Sequence, residues 1–201
     1  MDAKKSPIGR PRGFDADEAL ERAMLVFWER GYEGASLTDL TGAMGITRTS
    51  MYAAFGNKEE LFRKAVQRYA EGPGAYVARA LGEPTARQVA RALLAGSVCA
   101  TTGADRPAGC LVVQGSLAAG ESGRPARDEL AGWREVACAH LRDRFRRAVE
   151  EGDLPADSDP AVLARYVMTV AHGIAVQAAG GAGRAELELV AGAALRNWPP
   201  A

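Results

Sequence analysis

Hydrophobic positions recur along this chain with a helical period, and no stretch alternates with the period of a strand. Ala16, Ala19, Leu20, Ala23, Met24 and Phe27 follow the i, i+3, i+4 rhythm of one buried stripe. Asp15 with Glu18 opens that helix, Gly31 is expected to end it, and Trp28 and Tyr32 read as core aromatics of the same unit. A second stripe carries Leu61, Phe62, Ala65, Val66 and Tyr69, after which Gly72-Pro73-Gly74 breaks the pattern. Beyond the break a short helix resumes over Ala75–Leu81, and another starts with Pro84 in its first turn and runs to about Ala100. An almost wholly apolar helix is expected over Gly109–Ala119, between loops at Thr101–Pro107 and Glu121–Pro125. A long helix over Ala126–Glu151 puts Leu130, Trp133, Ala137, Leu141, Phe145 and Ala148 on one face. Its other side, with Arg142, Asp143, Arg146 and Arg147, is a solvated face with i, i+4 pairing. The helix begun by Asp159-Pro160 has no acidic residue, lysine or arginine from Tyr166 to Ala179, so it needs cover on more than one side. The last helix aligns Leu187, Val190, Ala191, Ala194, Leu195 and Trp198. The pattern predicts an all-α chain of about nine helices.

The most constrained stretch is Ser36–Phe62. Ser36 with Asp39 makes a helix N-cap, a short helix follows through Met44, and Gly45 supplies the left-handed turn. Thr47 caps a second short helix bearing Met51, Tyr52 and Phe55; Gly56 closes it, and Asn57 with Glu60 caps the next. Two capped helices around a glycine turn form a helix-turn-helix, whose second helix can enter the DNA major groove.

More is fixed than the bare motif: GYEGASL before it, GIT at the turn, then Met51-Tyr52 with Phe55, then GNKEELF. From about Gly9 to Tyr69 the chain resembles the DNA-binding domain of the TetR/AcrR family of bacterial regulators. One departure is Thr41, where helix-turn-helix units usually carry alanine; a threonine methyl can fill that space. The resemblance implies a flexible arm (1–12), a three-helix helix-turn-helix domain (13–70) and a helical effector-binding and dimerisation domain (71–201). It also implies that the last two helices form a four-helix bundle across a two-fold axis. A single short helix-turn-helix grips DNA poorly, and a homodimer reads two half-sites.

Met51 and Phe55, four apart, should pin the recognition helix to its core. Arg48 and Thr49 stand in its first turn, where base edges are met; arginine can bind guanine bidentately and threonine can contact thymine. The hydroxyls of Thr47 and Tyr52 suit phosphate oxygens, with Thr38 and Ser50 as further candidates. Lys58 opens the fourth helix, where free N–H groups and a partial positive charge favour phosphate. The resemblance implies the same role for Tyr52 and Lys58. The plainer readings are a half-buried aromatic for Tyr52 and a solvated lysine for Lys58.

Charge adds a little. Lys and Arg number 25, as do Asp and Glu, so the overall balance points to no partner. Residues 1–12, however, hold Lys4, Lys5, Arg10 and Arg12 against Asp2 alone, and Arg10 and Arg12 flanking Pro11 suit the minor groove. Three cysteines at irregular spacing argue against a disulfide framework and for a reducing, cytoplasmic setting. No apolar run reads as long enough to span a bilayer, and no signal-peptide pattern is present, so no membrane partner is expected.

An enzyme is the rival class. The chain has no glycine-rich phosphate loop, His-x-x-x-His or nucleophile elbow, and Glu59-Glu60 and Glu150-Glu151 are adjacent pairs that cannot share a helix face. No catalytic residue or cofactor is expected, and His140 and His172 form no paired-ligand motif with the cysteines. A helical ligand-binding module without DNA binding is a third class, which an intact Tyr52, Lys58 and basic arm argue against.

Control of DNA binding then falls to the middle helices. Polar or soft groups set in apolar sequence are the candidates for a small-molecule effector: Cys99, Gln114, Trp133, Cys138, Met168 and His172. Cys110 follows Gly109 at a helix start, where a thiol pKa is lowered. Some relatives in the resembled family with a similar Gly-Cys sense electrophiles or oxidants, which keeps thiol sensing open beside the reading of Cys110 as a small core hydrophobe. The expected function is a ligand-responsive regulator, a repressor released from a palindromic operator by a small molecule.

Overall fold

Asp15 starts the first helix by accepting hydrogen bonds from the backbone N–H groups of Asp17 (2.8 Å) and Glu18 (3.1 Å). The structure is a computed structural model that describes residues 13–117, 123–196, 198 and 199. Ten α-helices and no strand occur among the described residues, one helix more than the hydrophobic pattern predicts. They are α1 (Ala16–Gly34), α2 (Leu37–Met44), α3 (Arg48–Phe55), α4 (Lys58–Glu71), α5 (Tyr76–Leu81), α6 (Ala86–Thr101), α7 (Leu111–Leu117), α8 (Arg124–Glu150), α9 (Pro160–Ala179) and α10 (Arg184–Arg196). Pro73–Ala75 forms a 3-10 turn between α4 and α5.

Several boundaries differ from expectation for local reasons. Gly31, at φ 69°, kinks α1 rather than ending it, and one further turn runs to Gly34. Pro84 lies before the cap of α6; Thr85 is the N-cap, accepting from Gln88 N–H. Gly109 adopts φ 87°, which a helical residue cannot, so α7 begins only at Leu111 and Cys110 precedes it. The expected end of that helix, Ala118 and Ala119, lies outside the described residues.

Two apolar clusters organise the chain. One holds Met24, Phe27, Leu40, Met51, Leu61 and Phe62 from α1–α4, and also takes in Cys110, Leu111, Val113, Ala126, Leu130 and Ala175. The other packs α6, the C-terminal half of α8, α9 and α10 around Leu93, Leu94, Leu141, Phe145, Val167 and Ile174. The buried Arg144 ties α8 to the α5–α6 loop, donating from Nη2 to the carbonyls of Glu83 and Pro84, each at 2.9 Å.

Helix α9 corrects one expectation. By length and composition it is apolar enough to cross a membrane, contrary to the reading that no run was. In the fold it lies between α6 and α8 and buries Leu163, Val167, Ala171 and Ile174 against them.

The close approach of α5 to α6 depends on Gly96, where an added Cβ would stand 2.7 Å from both Cβ and Cδ2 of Tyr76. Gly96→Ala should therefore displace Tyr76 and cost about 1–3 kcal/mol. A urea unfolding midpoint unchanged from the parent would contradict this close approach.

Candidate nucleic-acid interface and ligand cavity

The helix-turn-helix is built from short-range contacts. Ser36 and Asp39 form a reciprocal capping box, Gly45 turns the chain at φ 67°, and Thr47 caps α3 by accepting from Ser50 N–H at 3.1 Å. Thr41 is nearly buried and donates its hydroxyl to the Leu37 carbonyl at 2.8 Å, which removes the cost of a polar group where alanine is usual. Met51 and Phe55 are buried beneath α3.

That packing leaves Arg48, Thr49 and Tyr52 on the outer face of α3, all exposed, Tyr52 by 48%. Arg48 Nη2 donates to Thr38 Oγ1 at 2.9 Å, so the arginine at the start of α3 is tied to α2. Thr38, Thr47 and Ser50 share a groove between α2 and α3, and the hydroxyls of Thr47 and Ser50 are 3.0 Å apart. Lys58 does not stand free in solvent: its ammonium lies 4.5 Å from the centroid of the Tyr32 ring. Burial lowers its pKa, and Glu33 partly offsets that. Arg10 and Arg12 lie outside the described residues.

A cavity of about 230 Å³ opens beyond the far end of α4. Tyr69 and Ala70 of α4, Tyr76 of α5, Trp133 of α8 and Met168 of α9 contribute to its wall. Tyr69 packs edge-on against Trp28, ring centroids 4.8 Å apart, and donates its hydroxyl to Cys110 Sγ at 3.2 Å. Burial pushes the Cys110 thiol up; the Tyr69 hydrogen bond and the backbone N–H groups of Val113 and Val112 offset only part of that. This reverses the expectation of a helix start favouring thiolate, because α7 begins after Cys110 and desolvation outweighs its N–H groups. Burial also pushes the His172 imidazole down from 6.5 to about 4, and Arg134 and Arg165 add to the shift.

Comparison with known proteins decides the family. Residues 19–65 match the bacterial regulatory proteins of the tetR family, and residues 89–184 match the tetracyclin repressor-like C-terminal domain. The HTH-type transcriptional repressor ComR of Escherichia coli K12 is 32% identical, over 97% of this chain and 94% of ComR. This chain belongs to the TetR family. The HTH-type transcriptional regulator YezE of Bacillus subtilis is 36% identical to this TetR-family chain, over 80% of this chain and 84% of YezE. A cysteine mutant of the TetR family regulator CifR, complexed with 26 bp double-strand operator DNA, superposes with a TM-score of 0.90 at 46% identity. That match covers 94% of this chain and 100% of the CifR chain.

Of the pocket residues expected from sequence in this TetR-family chain, Cys110, Trp133, Met168 and His172 line the cavity. Cys99, Gln114 and Cys138 do not. Cys99 is exposed on α6, where the Arg184 guanidinium lies 4.0 Å from its Sγ, and Cys138 is buried in the second cluster. Gln114 points to a separate groove between α1 and α7, with its side chain against Gly109. Sequence reasoning missed Tyr69, Tyr76, Arg134 and His140, all of which line the cavity. Tyr69 reads as a stripe residue, Tyr76 falls in a short helix whose pattern singles out no residue, and Arg134 and His140 sit in a charged helix whose phase alone carries the signal.

His172 gives a pH test. Its folded-state pKa lies below the unfolded value of 6.5, so the unfolded chain binds the proton first. The associated stability is complete above pH 6.5 and is lost as pH falls toward about 4, by up to ~3 kcal/mol. His172→Gln should flatten the stability profile in that window. An equally steep profile in the variant would assign the slope to other groups.

Proposed function

We propose that the chain is a ligand-released transcriptional repressor acting as a homodimer on a palindromic operator. One observation carries this reading: α4 bears Lys58 beside the helix-turn-helix and, at its other end, Tyr69 and Ala70 in the cavity wall. A ligand seated against Tyr69 shifts α4 and with it α3, moving the two recognition helices off a spacing of about 34–36 Å. Such a ligand must bind the DNA-incompetent arrangement more tightly, and DNA must then weaken ligand binding by the same factor. Calorimetric titration of an active ligand with and without operator tests this. Equal ligand affinity in both titrations would sink the release mechanism.

In this reading residues 13–70 bind DNA and residues 71–201 bind effector and dimerise, with the arm of residues 1–12 reaching the minor groove. The chain works in the cytoplasm and performs no catalysis. Arg48 and Thr49 read bases, while Thr47, Tyr52 and Lys58, with Thr38 and Ser50, hold phosphates. Lys58 leaves the Tyr32 ring to do so, and the Arg48–Thr38 hydrogen bond sets the angle at which the guanidinium enters the groove. Lys58→Ala should weaken binding to all sequences alike and reduce the salt slope by about one phosphate. Arg48→Ala should instead relax preference at one position of each half-site, by roughly 1–3 kcal/mol. Binding measured over a salt series and an operator library checks both, and swapped effects would reverse the assignment.

The dimer forms through α9 and α10, supported by the exposed apolar residues Val162 (58%), Val176 (44%), Leu189 (72%) and Val190 (47%). Leu187 is 2% exposed and belongs to the protomer's own core, so it is no probe of association. Leu189→Lys should yield a monomeric mass by light scattering at micromolar concentration with helicity unchanged. A dimeric mass for this variant would move the interface elsewhere.

A further inference from the structure

Charge inside the cavity narrows the ligand. Its wall is mainly apolar, yet it includes one arginine, Arg134, and two histidines, His140 and His172; among the described residues no aspartate or glutamate lines it. Arg134 already donates from Nη1 to the Val112 carbonyl at 2.9 Å, which holds it between α8 and α7 at the cavity wall. A guanidinium carries five N–H donors in a fixed fork and serves several acceptors at once, with carboxylate its best geometric match. Burial is the first cause that lowers the His172 pKa, and the charges of Arg134 and Arg165 push in the same direction. A second cation is thus disfavoured there, and an anion is favoured.

The remaining lining sets the ligand's body. Trp133, Met168 and Leu93 offer apolar surface, and Tyr69 and Tyr76 are phenols that burial keeps protonated. A volume of about 230 Å³ lies below the roughly 300–1,000 Å³ of drug-sized pockets, so the occupant is small. Among the lining residues, Val136 (53% exposed) and His140 of α8 and Ala78 of α5 are exposed to solvent.

We infer that the cavity takes a small apolar monocarboxylate, its carboxylate held by Arg134 and its hydrocarbon body against Trp133 and Met168. The inference rests on the cavity being the effector site proposed above and names the chemistry of that effector.

The test is a matched ligand series titrated calorimetrically into the full chain: hexanoate, benzoate and phenylacetate, each beside its primary amide and the amine of the same skeleton. At least one acid should bind about tenfold or more tightly than its amide, and the amines should not bind. Arg134→Gln should abolish that preference by weakening the acid about tenfold or more while leaving the amide nearly unchanged; Arg134→Lys, which keeps the charge, should retain the preference. Equal binding of acid and amide, binding of an amine, or failure of every acid at millimolar concentration overturns the inference. The series on the unaltered chain decides this even where Arg134→Gln fails to fold. A gel shift on operator DNA separates the two readings. An acid that binds without releasing DNA leaves the ligand class standing and removes the release mechanism, whereas release by neutral ligands alone does the reverse.

Discussion

Tyr69 is gripped from two sides, by the Trp28 ring of α1 and the Cys110 sulfur before α7, and the position of α4 depends on that grip. The other end of α4 is fixed by a separate aromatic set, Phe62 lying edge-on to both Phe27 and Tyr32 with centroids 5.1 Å apart in each case. Aromatic pairs of this kind contribute about 0.5–1.5 kcal/mol each beyond the area they bury. Arg68 pairs with Glu21 at 2.9 Å and Arg63 with Glu129 at 3.1 Å, which sets rotation more than stability, since exposed ion pairs contribute little. A helix locked at both ends moves as one body. A displacement at the Tyr69 end is therefore felt at Lys58, because the helix between them has no glycine or proline at which to bend.

The sharing of α4 also explains why the helix-turn-helix core does not close on itself. Leu111, Val113, Ala126 and Leu130 complete the same cluster as Met24 and Phe27. Residues of α7 and α8 thus supply part of the core of α1–α4, a continuous packed route between the two ends of α4. Interiors at crystal-like density transmit small shifts instead of absorbing them.

Legibility in the sequence followed the range of the interactions. The helix-turn-helix could be read residue by residue because its caps and turn act within three or four positions: Ser36 with Asp39, Gly45, Thr47 with Ser50, Asn57 with Glu60. The cavity could not. Its wall comes from α4, α5, α6, α7, α8 and α9 together with Cys110 just before α7, and no local rule fixes their relative rotation. Choosing polar or soft residues in apolar runs found His172 and Met168 because they fall on the covered side of α9, whereas Arg165, Thr169 and Gln177 of the same helix are exposed. The same rule misplaced Cys99 and Gln114. Cys99 falls on the solvent side of α6, and the late start of α7 after Gly109 rotates Gln114 away from the cavity toward α1. Arg134 escaped it because charged residues surround it in α8, where only the packed phase separates wall from surface.

Helix α9 shows how composition and environment part ways. Its apolar length would satisfy a bilayer, yet α6 and α8 cover one side with Leu93, Leu94, Leu141 and Phe145. Val162 and Val176 remain on the uncovered side, and Arg165 beside them is engaged by Glu135 through two hydrogen bonds of 2.8 and 3.1 Å. A charged pair on the rim of an apolar strip adds little affinity, but it penalises any register that buries one partner alone. The same helix carries His172 in the cavity wall and, one turn on, the exposed Val176. The face that would meet a second protomer and the wall that would meet a ligand are thus neighbouring faces of one helix, since His172 and Val176 are four residues apart, so a change in the cavity bears on the packing of both.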